Sequence, residues 1–95
     1  EELFDICVHG LKDEDFTVQE SSVDGLGLLA SSNQHPAALS QILTLVNVES
    51  WRMRVRVSYA LKRFDEPEAK AALNQLRQDE DHRVVGAALE DLLPQ

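Results

Sequence analysis

Long apolar runs, paired cysteines and a basic leader are all missing from this chain, and each absence removes a class of protein. No apolar stretch approaches the ~20 residues needed to cross a bilayer, so no membrane association is expected. The opening Glu1-Glu2-Leu3-Phe4 has neither an initiator Met nor the basic region of a secretory signal, so the sequence reads as an excised or processed segment. Cys7 stands alone and cannot form an internal disulfide, which agrees with a reducing compartment and a cytoplasmic location. On an apolar helix face it is expected to be a small buried hydrophobe.

Bases are scarce in one half only. Residues 1–50 carry nine acids against Lys12, whereas residues 51–95 carry eight of each sign, so the whole net charge of −8 lies in the first half. Within the second half, residues 51–64 hold Arg52, Arg54, Arg56, Lys62 and Arg63 with no acid. A strongly acidic molecule repels polyphosphate, which argues against nucleic acid as the main ligand. The local basic cluster is the only feature pointing the other way.

What is present is a repeat. Asp15-Phe16-Thr17-Val18-Gln19, Ser50-Trp51-Arg52-Met53-Arg54 and Asp81-His82-Arg83-Val84-Val85 align at offsets of 35 and 31 residues. Four and eight positions beyond Val18, Met53 and Val84 stand Ser22 and Leu26, Val57 and Leu61, Ala88 and Leu92, largely apolar stripes at helical spacing. Each copy opens on Asp15, Ser50 or Asp81, whose side-chain oxygens accept from first-turn amides. Pro36 and Pro67 open two further amphipathic segments, where a missing N–H costs nothing. The N-terminal segment adds Leu3, Cys7 and Leu11 at the same spacing. These signals predict one all-α domain over residues 1–95, with antiparallel helices at 2–11, 16–30, 36–47, 51–64, 67–77 and 82–93. Gly25 and Gly27 inside the second helix each cost about 1 kcal/mol relative to Ala. Either a close helix approach or a kink would explain them.

No catalytic or metal-binding pattern appears. His9, His35 and His82 lack the i,i+4 pairing of a helical zinc site, and no second cysteine assists. An EF-hand loop from Asp13 would need Gly at Val18 and Glu at Asp24. Helix capping accounts for Asp13-Glu14-Asp15 and Asp79-Glu80-Asp81 without a metal. No phosphate loop, nucleophile elbow or Cys/His constellation is visible, so neither cofactor nor enzymatic activity is expected.

The run Leu61-Lys62-Arg63-Phe64-Asp65-Glu66-Pro67-Glu68-Ala69, followed by Ala72-Leu73, Leu76 and Asp79-Glu80-Asp81-His82-Arg83-Val84, resembles the HEAT-repeat family, in particular its short lyase-like bacterial form. The resemblance covers essentially the whole chain and implies an armadillo-like α-solenoid of about six helices. It also implies an arginine after the valine that opens each first-type helix, where it meets a loop aspartate. Those positions hold Gln19, Arg54 and Val85, so this ladder survives at most once. In this frame the chain opens on a second-type helix and closes on a first-type helix. That arrangement suggests either part of a longer repeat array or self-association through the terminal helices.

The resemblance further implies that second-type helices line a concave surface. By register its stripe comprises Asp5, Ser40 and Ala71, then His9, Thr44 and Gln75, then Lys12, Asn47 and Gln78. Polar, small and nearly uncharged, it suits a protein or peptide partner, and a solvated face without a partner would look the same. A second candidate patch is Val55 and Tyr59, expected to point outward within a rim of Arg52, Arg56 and Arg63. Trp51 is expected to pack against the turn at its helix start. The functional expectation is a non-catalytic interaction or scaffold module. Relatives of this repeat form handle phycobilin chromophores, which supplies the alternative reading; nucleic-acid binding is a more distant one.

Overall fold

The computed structural model describes residues 2–89, and among them six α-helices and no strand occur. They are α1 (Glu2–Gly10), α2 (Phe16–Gly27), α3 (His35–Leu43), α4 (Trp51–Leu61), α5 (Pro67–Leu76) and α6 (His82–Leu89). The expected continuation of the last helix to residue 93, with Leu92 of its stripe, lies outside the described residues. Helix starts follow local chemistry. Asp15 Oδ1 accepts from the Thr17 amide at 2.8 Å, Ser50 Oγ from Met53 at 3.3 Å and Asp81 Oδ1 from Arg83 at 2.9 Å. Pro67 opens α5, and Pro36 sits one residue inside α3.

Helix ends fall earlier than the periodicity predicts. α2 gives way at Leu28–Ser31 to a 3₁₀ turn, and α3 tightens after Leu43, where Thr44, Leu45 and Val46 donate to carbonyls three residues back. α4 ends likewise, with Arg63 and Phe64 bonded three residues back. The tighter turns still bury Leu29, Val46 and Phe64, so the core pattern outlasts the α-helical hydrogen bonding.

The first-type helices α2, α4 and α6 pack side by side in one layer. α1, α3 and α5 form the other, each lying against a first-type helix, with α3 beside α5. Between the layers, Val23, Leu26, Ile42, Val57, Leu61, Leu76 and Val84 are buried almost completely. Cys7 is buried in the same cluster, and the surrounding apolar wall raises its thiol pKa.

Close helix approach, not a kink, explains the glycines. A Cβ on Gly25 would stand 2.5 Å from Cys7 Sγ of α1, and one on Gly10 would stand 2.0 Å from Ser22 Oγ of α2. A Cβ on Gly27 would meet Ala60 of α4 at 3.2 Å. The glycines therefore let α2 approach both neighbours, which offsets their conformational cost.

Candidate functional site

Three arginines spaced two apart on α4 tie the first-type layer together. At 100° per residue, Arg52 and Arg56 fall on one side of the helix and Arg54 on nearly the opposite side. Arg52 and Arg56 reach back to α2: Arg52 lies 3.4 Å from the buried Glu20 carboxylate, and Arg56 stands 3.7 Å from Glu20 and 3.0 Å from Asp24. Burial raises the Asp24 pKa, an effect that Arg56 partly offsets. Arg52 also lies over the Phe16 ring, 5.0 Å from its centre.

Arg54 reaches forward instead. Its Nε and Nη2 donate to the two Asp79 carboxylate oxygens at 2.8 and 3.1 Å. Its Nη1 donates to the Val48 and Glu49 carbonyls at 2.7 and 2.9 Å. Both side chains of the pair are nearly buried, 11% and 12% exposed. Among the described residues this is the single Asp–Arg rung. In the preceding repeat Gln19 substitutes for part of it, donating to the Asp13 carbonyl at 2.6 Å, the same six-residue offset as Arg54 to Val48. In the following repeat Arg83 stacks 3.4 Å from the Trp51 ring centre. Its fork also grips Asp81 at 2.8 Å and holds that carboxyl down to about 2. Trp51 is therefore both a packing residue and a cation platform.

The second patch takes a form different from the expected outward pair. Val55 and Tyr59 are half-buried, and Val55 packs against the core. Two of the three rim arginines have carboxylate partners on α2, and the aliphatic stem of Arg63 packs beside Gly27. Lys62 lies over the Tyr59 ring at 5.6 Å. The cluster's charge is thus largely compensated within the fold. Sequence reading missed this, although Glu20–Arg52 and Asp24–Arg56 share a 32-residue offset close to the repeat length.

On the other layer, Asp5, His9, Lys12, Ser40, Thr44, Asn47, Ala71, Gln75 and Gln78 are all exposed. Asn47, in the turn that follows α3, and Gln75 of α5 come together, with Gln75 Nε2 donating to Asn47 Oδ1 at 2.6 Å. Thr44 turns its hydroxyl proton onto the Gln41 carbonyl at 2.7 Å and keeps its lone pairs free. Asn47 also borders a shallow cleft with Val46, Arg54, Asp79 and Glu80. Asp5 and His9 sit on α1 and Lys12 in the turn after it, and none of the three makes a side-chain hydrogen bond to the other stripe members.

Of the histidines, His35 lies against Glu66 at the start of α5, and this hydrogen bond lowers the Glu66 pKa. Among the described residues no group of three or more His, Cys, Asp or Glu side chains converges as a metal site would require. No described helix is long and apolar enough to cross a membrane.

A family model for HEAT repeats matches residues 4–93. No curated protein and no solved structure matches the chain.

Proposed function

The chain belongs to the HEAT-repeat family, and from that premise we propose that it is a non-catalytic module that holds a protein or peptide segment on the α3–α5 face. The observation that carries this reading is the Asn47–Gln75 bridge flanked by exposed Ser40, Thr44, Ala71 and Gln78. Such a surface offers donors and acceptors with little charge to desolvate. An extended backbone, which has one donor and one acceptor per residue, matches it chemically. Small side chains at Ser40 and Ala71 leave room for that backbone to approach. The arginines of α4 support a protein partner over a polyphosphate, because their charge is already committed to Glu20, Asp24 and Asp79.

The test is affinity capture with the intact chain and with Thr44→Arg plus Gln75→Arg, both verified as folded by circular dichroism. Loss of a captured protein in the double variant supports the α3–α5 face. Equal recovery from both sinks it.

A further inference from the structure

The loops that precede the first-type helices share an acidic position that no cap or pair uses. Glu14, Glu49 and Glu80 each stand immediately ahead of the capping residue, Asp15, Ser50 or Asp81. All three are exposed, and among the described residues none of their carboxylates makes a hydrogen bond or ion pair. A helix start attracts negative charge, which accounts for one carboxylate in each loop. Asp15 and Asp81 already meet that need in two of them.

The Arg54 rung fixes two of these glutamates relative to each other. Its guanidinium donates to the Glu49 carbonyl on one side and to Asp79, the residue before Glu80, on the other. Glu80 in turn borders the cleft of about 230 Å³ that Val46, Asn47, Arg54 and Asp79 complete. Asn47 belongs to the α3–α5 face, so the cleft joins that face to the row of glutamates. Arg54 and Asp79 neutralise each other there, which leaves the cleft one net negative charge, on Glu80.

We infer, resting on the reading of the α3–α5 face given above, that the partner segment held there is basic and carries lysines or arginines three residues apart, one reaching Glu80 through the cleft beside Asn47 and the next reaching Glu49. Neighbouring first-type helices pack with about 8–10 Å between axes, so the glutamates ahead of them repeat at about that interval. A polyproline-type backbone has three residues per turn and rises about 3.1 Å per residue, which places every third side chain on one side at about 9 Å. Alternate residues of a β-strand stand about 7 Å apart and fourth residues about 13 Å, and neither matches. The polyproline-type backbone also makes no internal hydrogen bonds, so its donors and acceptors stay open to Thr44, Asn47 and Gln75. Bases on the segment complement a chain whose net charge is −8. No two bases of this sequence stand three residues apart, so a second copy does not supply the segment.

The probes are synthetic peptides with three lysines separated by one, two or three alanine or proline residues, and a fourth with glutamine for lysine at the two-residue separation. Each is titrated against the intact chain by amide NMR. The expected result is tightest binding of the lysine peptide with the two-residue separation, with the Asn47, Glu49, Gln75 and Glu80 resonances shifted. Glu49→Gln plus Glu80→Gln weakens that peptide about fivefold, as the loss of two exposed ion pairs predicts, and abolishes the spacing preference. The charge-matched control Glu2→Gln plus Glu68→Gln, at exposed positions off the row, keeps the preference. Equal affinity for the three lysine peptides, or an equal loss in the two double variants, overturns the inference in favour of net charge alone. A glutamine peptide that binds as tightly at Asn47 and Gln75 overturns it too, and leaves the α3–α5 face standing. If no peptide shifts those resonances, both readings fall together.

Discussion

Arg54→Met tests whether the one Asp–Arg rung holds neighbouring repeats together. The substitution keeps much of the aliphatic stem and removes four donors: two on Asp79 and two on the Val48 and Glu49 carbonyls. Breaking a buried pair by deleting one partner costs about 3–5 kcal/mol, because the other charge is left unpaired. Asp79 retains 12% exposure and its bond from the Asp81 amide, so water and backbone relieve part of that cost. The expected loss is therefore near the lower bound, about 3 kcal/mol. For a domain of this size, at about 4–8 °C per kcal/mol, the thermal midpoint falls by about 12–24 °C. Urea unfolding should show a lower midpoint with an unchanged slope. A double-mutant cycle with Asp79→Asn isolates the pair, since asparagine still accepts from the Asp81 amide. The control is Arg83→Gln, whose guanidinium side chain is 59% exposed where that of Arg54 is 11%. A loss for Arg54→Met below about 1 kcal/mol, the range of surface pairs, refutes the reasoning. So does a cycle without coupling.

Further outcomes concern two glycines and one carboxylate. Gly86→Ala should stabilise by about 0.5–1 kcal/mol, since a Cβ there meets nothing within 4 Å and alanine favours the helix. Gly25→Ala should destabilise despite the same propensity gain, because its Cβ would collide with Cys7 Sγ, and Cys7→Ala should remove that penalty. Equal effects at the two glycines in denaturant melts would contradict the close α1–α2 approach. Arg83 holds the Asp81 carboxyl at about 2, below the ordinary aspartate value. A depressed folded-state pKa favours folding above the ordinary aspartate value, and that contribution is lost as pH falls from there through about 2. Carboxyl-carbon NMR should place the Asp81 midpoint near that value and move it upward in Arg83→Gln; an unmoved midpoint counts against the fork.

The parts of the fold legible in the sequence are those whose causes are local. Asp15, Ser50 and Asp81 cap within three residues and Pro67 fixes its own φ, so helix starts could be read directly. Where α2, α3 and α4 stop depends on the turn needed to reach the next helix, and apolar periodicity continues through Leu29, Val46 and Phe64 regardless. Gly25 could be read as a close approach or a kink until its opposite side chain was known to be Cys7. The register of the second-type helices likewise identified nine positions that are exposed, but not that Asn47 and Gln75 bond across the layer. That bond needs α3 and α5 to lie side by side, a property of the stack.

The Arg52–Arg54–Arg56 run shows most directly why charge cannot be read as a patch before the fold is known. Alternation of period two looks like one face of a strand, or like a basic surface. On a helix the same spacing separates the charges by about 200° and then returns them, sending two arginines to one neighbour and one to the other. The preceding repeat supplies Glu20 and Asp24, and the following repeat supplies Asp79. Glu20, Arg54 and Asp79, the nearly buried members, would be costly to bury alone, so the paired set favours one stacking order of the repeats over its alternatives.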